Sequence, residues 1–360
     1  MSDSGTQKML RRYEEMTDTP SFFASYFTAR PENLHTSESV EIDIERSGRE
    51  IAVVVSDIAA DGREVEKTLL TNKMWTPPIF KQKATVNAFD MIKRQAGQHP
   101  FVAPDYQANV AMQVMKNAAK CEQTIRRSIE LMASQVMQTG KLTLKDENGN
   151  DKYTLDFKPK ASHIVDVGNN WGGGSETPLA DLEALAEQLV EDGKEIPDKL
   201  AFGKTAWQDF LADSEVQSRL DNRRFDMGQI GRPRRDRNGG QYHGTITVGS
   251  FEFELWTYRG RFDDPQTGTS TPYLTDDLVV MSSTNARYDL SFGDIPQIPG
   301  APNNALQFVP NRLSVPGAGM DLIVRAWFSE DGTHLHMTVG SRPLTIPTAI
   351  DTIGVLNTRV

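Results

Sequence analysis

Between residues 110 and 136 the apolar positions Val110, Val114, Ala118, Cys121, Ile125, Ile129, Met132 and Val136 recur at steps of three and four. That spacing keeps them on one face of an α-helix and predicts a single helix over 106–139, ending at the stop signal Gly140. At 1.5 Å per residue the helix is a rod of roughly 50 Å, about three times the ordinary length. Glu122, Arg126 and Glu130 follow one another at i,i+4 spacing on the opposite side. The seam could serve a coiled coil, but the flanking positions carry no systematic charge code. The helix also runs directly into "KLTLKDENGNDKYTLDF", a hairpin about Asn148-Gly149. A rod lying along its own sheet is therefore expected, with Cys121 a packing residue in the seam.

Upstream the period is two. Val40, Ile42 and Ile44 alternate with Glu41, Asp43 and Glu45, followed by the Val-rich stretch 51–55, a turn signal at Asp61-Gly62 and a second extended stretch. The expected hairpin is long and its tip, about 62–76, is polar, so it has no core of its own and needs something to lie on. Before it stands "TPSFFASYF", residues 19–27, with Phe22, Phe23, Tyr26 and Phe27 at helical spacing after a Thr19-Pro20 start signal. This segment is expected either as a short helix docked on its own core or as an arm whose aromatic face docks on a neighbouring subunit.

Downstream, the Gly-rich "DVGNNWGGGSETP" at 166–178 marks a domain boundary. An acidic amphipathic helix opens at Ser175 and closes at Gly193, and a second helix is expected in "GKTAWQDFLADSEVQSRLDNRR". After an Arg-rich loop come a hairpin pair in "GTITVGSFEFELWTYRGRF", a strand in "LVVMSS" and a Pro- and Gly-rich connection from Gly293 to Gly319. Two strands about Asp331-Gly332 and the stretch "DTIGVLNT" close the chain. Strands and helices mix without regular βαβ alternation, so the fold class is α+β.

Composition narrows function. The 360 residues carry a net charge of −10, which resides in the second part: residues 1–160 hold 22 basic and 22 acidic side chains, residues 161–360 hold 17 and 27. A negative field does not coat nucleic acid. No apolar run reaches the length of a membrane span, and one cysteine excludes an intrachain disulfide and suits a reducing compartment. His334 and His336 share a strand face but lack the further ligands a metal site needs. The "GGG" at 172–174 has no phosphate-loop lysine and reads as a hinge. No nucleophile–base arrangement is evident, so neither an enzyme nor a cofactor is expected. The sharpest rival signal lies in segment 219–237, where Arg219, Arg223, Arg224, Arg232, Arg234, Arg235 and Arg237 cluster and Gly231-Arg232-Pro233 matches the core of a minor-groove hook. Interleaved Asp221, Asp226 and Asp236 and the lack of stacking aromatics favour contact with an acidic protein surface over DNA; the acidic helix 176–198 of another copy is a suitable partner. A nucleic-acid-binding protein acting through these arginines remains the alternative.

Taken in order, these parts resemble the lambda-type major capsid proteins of tailed bacteriophages, the phage capsid protein E family, which share the Hong Kong 97-type capsid fold. "TPSFFASYF" is similar to that family's arm, and "VAPDYQANVAMQVMKNAAKCEQTIRRSIELMASQVMQTGKLTL" to its spine helix with entry and exit. "KTAWQDFLADSEVQSRLDNRR", "YLTDDLVVMSSTNARY" and "MTVGSRPLTIP" resemble its axial-domain helix, late strand and final strand. The resemblance implies an N-terminal arm (1–38), an extended E-loop (39–86), a peripheral P-domain built on the spine (87–165 and 318–347) and an axial A-domain (166–317 and 348–360). It implies a homo-oligomer of hexamers and pentamers in an icosahedral shell around double-stranded DNA, assembled in the host cytoplasm and resident in the virion. Scaffolding, portal and decoration proteins are the implied partners, the scaffold as a separate chain because no long N-terminal extension is present. Inter-subunit contacts are expected from Phe22, Phe23, Tyr26, Phe27, Arg63, Lys67, Lys73, Trp75 and the arginines at 223, 224, 232, 234 and 235. Autocatalytic crosslinking through Lys67 or Lys73 has no support in the residues.

Overall fold

The computed structural model describes residues 19–35, 37, 39–46, 69–89, 106–146, 148–174, 176–193, 195–220, 228–265, 267–295, 305 and 321–359. The apolar seam forms α1 (Tyr106–Thr139), and every residue of the seam is buried. Gly140 ends it in the left-handed region (φ 63°), its N–H bonded to the Val136 carbonyl at 2.9 Å. The Pro159 ring packs where a Cβ would stand, so only glycine fits there.

In chain order the strands before and just after the spine are β1 (Val40–Arg46), β2 (Leu69–Trp75), β3 (Phe80–Asn87), β4 (Lys141–Lys145), β5 (Asp151–Asp156) and β6 (Ile164–Asp166). Then follow α2 (Pro178–Gly193), β7 (Lys199–Phe202), α3 (Lys204–Ala212), α4 (Ser214–Leu220), β8 (Gly228–Arg235), β9 (Gly240–Val248) and β10 (Phe251–Tyr258). The remainder is β11 (Arg261–Asp263), β12 (Ser270–Pro272), β13 (Leu278–Ser282), β14 (Asp289–Phe292), β15 (Ile323–Phe328), β16 (His334–Ser341), β17 (Pro343–Ile346) and β18 (Gly354–Asn357).

Two apolar cores result. The first lies along α1, which rests on β3, β4, β16 and β17; β15, β16 and β3 form an antiparallel sheet beneath it. The rod thus lies on its own sheet. The second core fills the space beneath a mixed sheet of order β6-β18-β13-β7-β10-β9-β8. There α2 buries Leu179, Leu182, Leu185, Ala186 and Leu189, the i, i+3, i+4 stripe of an amphipathic helix; beside it Trp207 meets Phe202 edge-on and stacks on Phe210. Strand β6 already belongs to this sheet, so the chain enters the second core just ahead of the glycine-rich break.

Two expectations need correction. The second helix is two helices. Asp213 is extended (ψ 135°) and its Oδ1 accepts the Val216 N–H at 2.9 Å, so a new N-cap wins over continuation of α3. The Arg-rich stretch is not a loop throughout, because residues 228–235 form β8, the edge strand paired with β9. A register shift between Ile230 and Arg234 accommodates Gly231-Arg232-Pro233, and proline is tolerated at an edge because it has no N–H to donate. Ser175, the expected helix opener, and most of the 293–319 connection lie outside the described residues.

Candidate assembly surfaces

The aromatic segment is anchored by an acid of the spine. Glu130 is fully buried, and its two carboxylate oxygens accept the N–H groups of Phe23 (2.9 Å) and Ala24 (2.7 Å). Burial pushes this carboxyl above the ordinary glutamate range, and the backbone donors pull partly the other way. The turn so fixed is a short 3₁₀ turn, Ala24–Tyr26, where the sequence predicts a helix. Phe22 stacks on Tyr258 at 4.9 Å between ring centroids, Phe23 meets the same ring edge-on at 5.4 Å, and Phe27 approaches Tyr288 at 5.7 Å. Burial raises the phenols of Tyr258 and Tyr273, and the charge of Glu130 adds to the rise. The half-buried Tyr26 ring lies under Lys199 Nζ, 5.4 Å from the centroid. Of the two expectations for Phe22, Phe23 and Phe27, their own core takes the rings, because one aromatic cluster of the same chain already covers them.

The ribbon of β1 and β2 behaves differently. Val40 stands opposite Trp75, Ile42 opposite Lys73, Ile44 opposite Thr71 and Arg46 opposite Leu69. In this register the apolar positions Ile42 and Ile44 of β1 are paired with the polar positions Lys73 and Thr71 of β2. The base is seated on its own chain. Val40 is buried, Trp75 meets Phe157 edge-on at 5.7 Å, and the buried Arg342 donates to the Pro77 carbonyl at 3.3 Å and the Asp294 carbonyl at 2.7 Å. Beyond the base, β1 and β2 make extensive contact only with each other among the described elements. Met74 and Ile79 flank the base and are each 60% exposed. Lys73 sits in β2, whereas Arg63 and Lys67 lie outside the described residues.

Along the edge of the large sheet, Arg234 and Arg235 are exposed on β8, opposite Tyr242 and Gln241. Arg232 belongs to the same strand, and Arg223 and Arg224 lie outside the described residues. The register of β8, β9 and β10 brings Arg235 and Arg237 beside Arg259 and Arg261, at a cleft of about 540 Å³ that also touches Asp236 and Pro20. Sequence reasoning did not single out Arg259 and Arg261. Their signal is the "RGR" that ends the alternating run of β10.

The other candidates lie apart from these surfaces. His334 and His336 do share a face, with rings parallel and 6.0 Å apart, yet among the described residues no three metal-capable side chains gather. His163 is fully buried against Asp192 (2.9 Å), which also holds Lys160 at 2.5 Å, and these donors, Lys160 first, keep the Asp192 carboxyl well below the carboxylate range. Cys121 is buried and its thiol pushed up by burial, the reverse of an activated nucleophile. Among the described residues no helix is long and apolar enough to cross a membrane.

No curated protein matches the chain. Its fold is similar to that of the proposed capsid protein of a prophage in E. coli CFT073, at 18% identity over 81% of this chain and 80% of that one, with a TM-score of 0.60. It is also similar to a structure from Microbacterium phage Oxtober96 (9% identity, 97% and 94% covered, TM-score 0.51) and to a phage-related protein from Bordetella bronchiseptica RB50 (11%, 96% and 94%, TM-score 0.50). The family model described as phage major capsid protein E matches residues 5–354. A rod seated on its own sheet, a ribbon clamped at its base and a match across nearly the whole chain lead to one conclusion: this chain belongs to the phage major capsid protein E family, the structural proteins that form the head shell of tailed phages and prophages.

Proposed function

We propose that the chain tiles an icosahedral shell as hexamers and pentamers, with its parts divided as in the Hong Kong 97-type capsid fold. Residues 39–86 act as the E-loop lying over an adjacent subunit. Residues 87–165 and 318–347 form the P-domain on the spine, 166–317 and 348–360 the A-domain, and 1–38 the arm. The observation that carries this reading is the ribbon of β1 and β2, which has a clamped base and whose strands make extensive contact only with each other among the described elements. A two-stranded ribbon is marginal alone, and repeated copies supply the missing surface. Arg63, Lys67 and Lys73 would then meet the adjacent subunit. The shell encloses double-stranded DNA without reading its sequence, and scaffolding, portal and decoration proteins are the proposed partners. Electron microscopy of the expressed full chain, with a scaffold where required, should show shells or isolated hexamers and pentamers. A strictly monomeric species under all conditions overturns the proposal.

A further inference from the structure

The arginine cleft and the acidic helix α2 are complementary features of one chain that cannot meet each other. Helix α2 contains Asp181, Glu183, Glu187, Glu191 and Asp192 and no basic residue. Glu183, Glu187 and Glu191 follow at i,i+4 spacing, where like charges repel, and the last lies at the helix C-terminus, where the macrodipole disfavours an acid. Asp192 is paired with Lys160 and lies within hydrogen-bond distance of His163. Glu187 and Glu191 are exposed and carry no ion pair among the described residues. In the cleft, Arg261 donates to Ser270 (Oγ at 3.2 Å, carbonyl at 2.5 Å), and none of Arg235, Arg237, Arg259 and Arg261 has an ion pair among the described residues.

The topology keeps ridge and cleft apart. Glu183 lies against Gly249 in the turn between β9 and β10, whereas Arg259 and Arg261 follow the other end of β10. Eight extended residues separate the two ends by roughly 25 Å. From that turn α2 crosses toward β18, where Leu185 and Leu189 pack on Gly354, and so runs away from the β8 edge.

We propose that the cleft of Arg235, Arg237, Arg259 and Arg261 receives the Glu187–Glu191 ridge of a second copy, a head-to-tail contact around each ring of subunits. Such a contact uses two different patches of every copy and closes when the rotation closes, which suits a ring. Asp236 also lines the cleft and opposes any anion; a second copy is the proposed occupant because it carries the exposed acids Glu187 and Glu191. The inference rests on the shell reading above.

The test uses the full chain and three variants: R259E/R261E, E187R/E191R and all four changes together, followed by shell yield at low and high salt and DNA retention at each. Each double reversal should lower the assembled fraction by about tenfold at low salt and blunt its salt dependence, and the combination should recover to within about twofold. Failure of the combination to recover, or normal assembly of E187R/E191R, overturns the inference while leaving the shell reading intact. Normal assembly of R259E/R261E with loss of salt-sensitive DNA binding overturns it in favour of phosphate. A wild-type chain that forms no shell or ring overturns the shell reading and the inference with it. Should a reversed variant fail to fold, as judged by circular dichroism, R259S/R261S and E187Q/E191Q replace it; each should lower assembly about threefold, and no drop overturns the inference.

Discussion

Two antiparallel ribbons flank the spine, and they differ in where their stability comes from. The shorter, β4 and β5, is held by its own chain. Leu142 is completely buried, Gln135 of the spine accepts the Thr143 N–H at 3.1 Å, and Asp146 Oδ1 caps the turn by accepting the N–H groups of Asn148 (2.8 Å) and Asn150 (3.0 Å). The longer, β1 and β2, is likewise an antiparallel pair, with Val40 buried and Trp75 partly buried at its base, but among the described elements its strands make extensive contact only with each other. Backbone pairing is therefore not what distinguishes an element that is complete in one subunit from one that is not. The difference is whether a face of the ribbon meets a core. In the shell proposed above, the long ribbon is where assembly acts.

The largest effect should come from shortening the long ribbon. Replacement of residues 47–68 by Asn-Gly joins Arg46 to Leu69, which already face each other, through a favoured two-residue turn. Shells should be lost entirely, as read by electron microscopy, while the urea stability of the subunit stays within about 0.5 kcal/mol. Retained shells would break the comparison. Its counterpart is Leu142→Ala in the short ribbon, expected to cost the subunit about 2–5 kcal/mol in urea denaturation because a fully buried leucine leaves a cavity. The matching change Met74→Ala, at an exposed position, should cost less than about 0.5 kcal/mol by the same measurement.

The parts legible in the sequence were those whose signal is local. The spine's seam, the Asn148-Gly149 turn and the alternation of β9 and β10 each lie within one stretch, and each appears as expected. What escaped depends on residues far apart. Phe22 and Phe23 are matched to Glu130 and Tyr258, more than a hundred residues away, and nothing in "TPSFFASYF" shows that its own chain holds that cluster. Arginine-rich 228–235 became a strand because β9 supplies its hydrogen bonds, a tertiary effect that outweighs composition. Convergence of Arg259 and Arg261 on Arg235 follows from strand register, which charge counting does not contain. The tip of the long ribbon lies outside the described residues.

Glu130 sharpens the comparison by asking to which class the aromatic segment belongs. Its burial and its two backbone bonds place 19–27 with the self-seated short ribbon. Glu130→Gln keeps one acceptor but turns an amide donor toward a backbone donor, which should cost the subunit about 1–3 kcal/mol near neutral pH. The folded state holds the Glu130 proton more tightly than the unfolded chain, since burial raises its pKa. The unfolded chain therefore releases that proton first as pH rises, and stability falls with pH from the ordinary glutamate value up to the raised one. Urea midpoints measured across that window should slope downward for the wild type and flatten for Glu130→Gln. An unchanged slope would mean that the segment is not held through this carboxylate.

A more modest effect than that of Glu130→Gln belongs to the short ribbon's turn. Gly149 occupies the left-handed region at φ 89°, where an L side chain is strained, so Gly149→Ala should cost about 1–2 kcal/mol. Asp146 still caps both neighbouring N–H groups, so the hairpin should stay closed and the loss should appear only as a lower urea midpoint. Shell yield should not change, because a ribbon complete within its subunit takes no stability from the neighbours. A drop in yield larger than the loss of folded subunit would show that the short ribbon also depends on assembly, and the two ribbons would no longer be distinct.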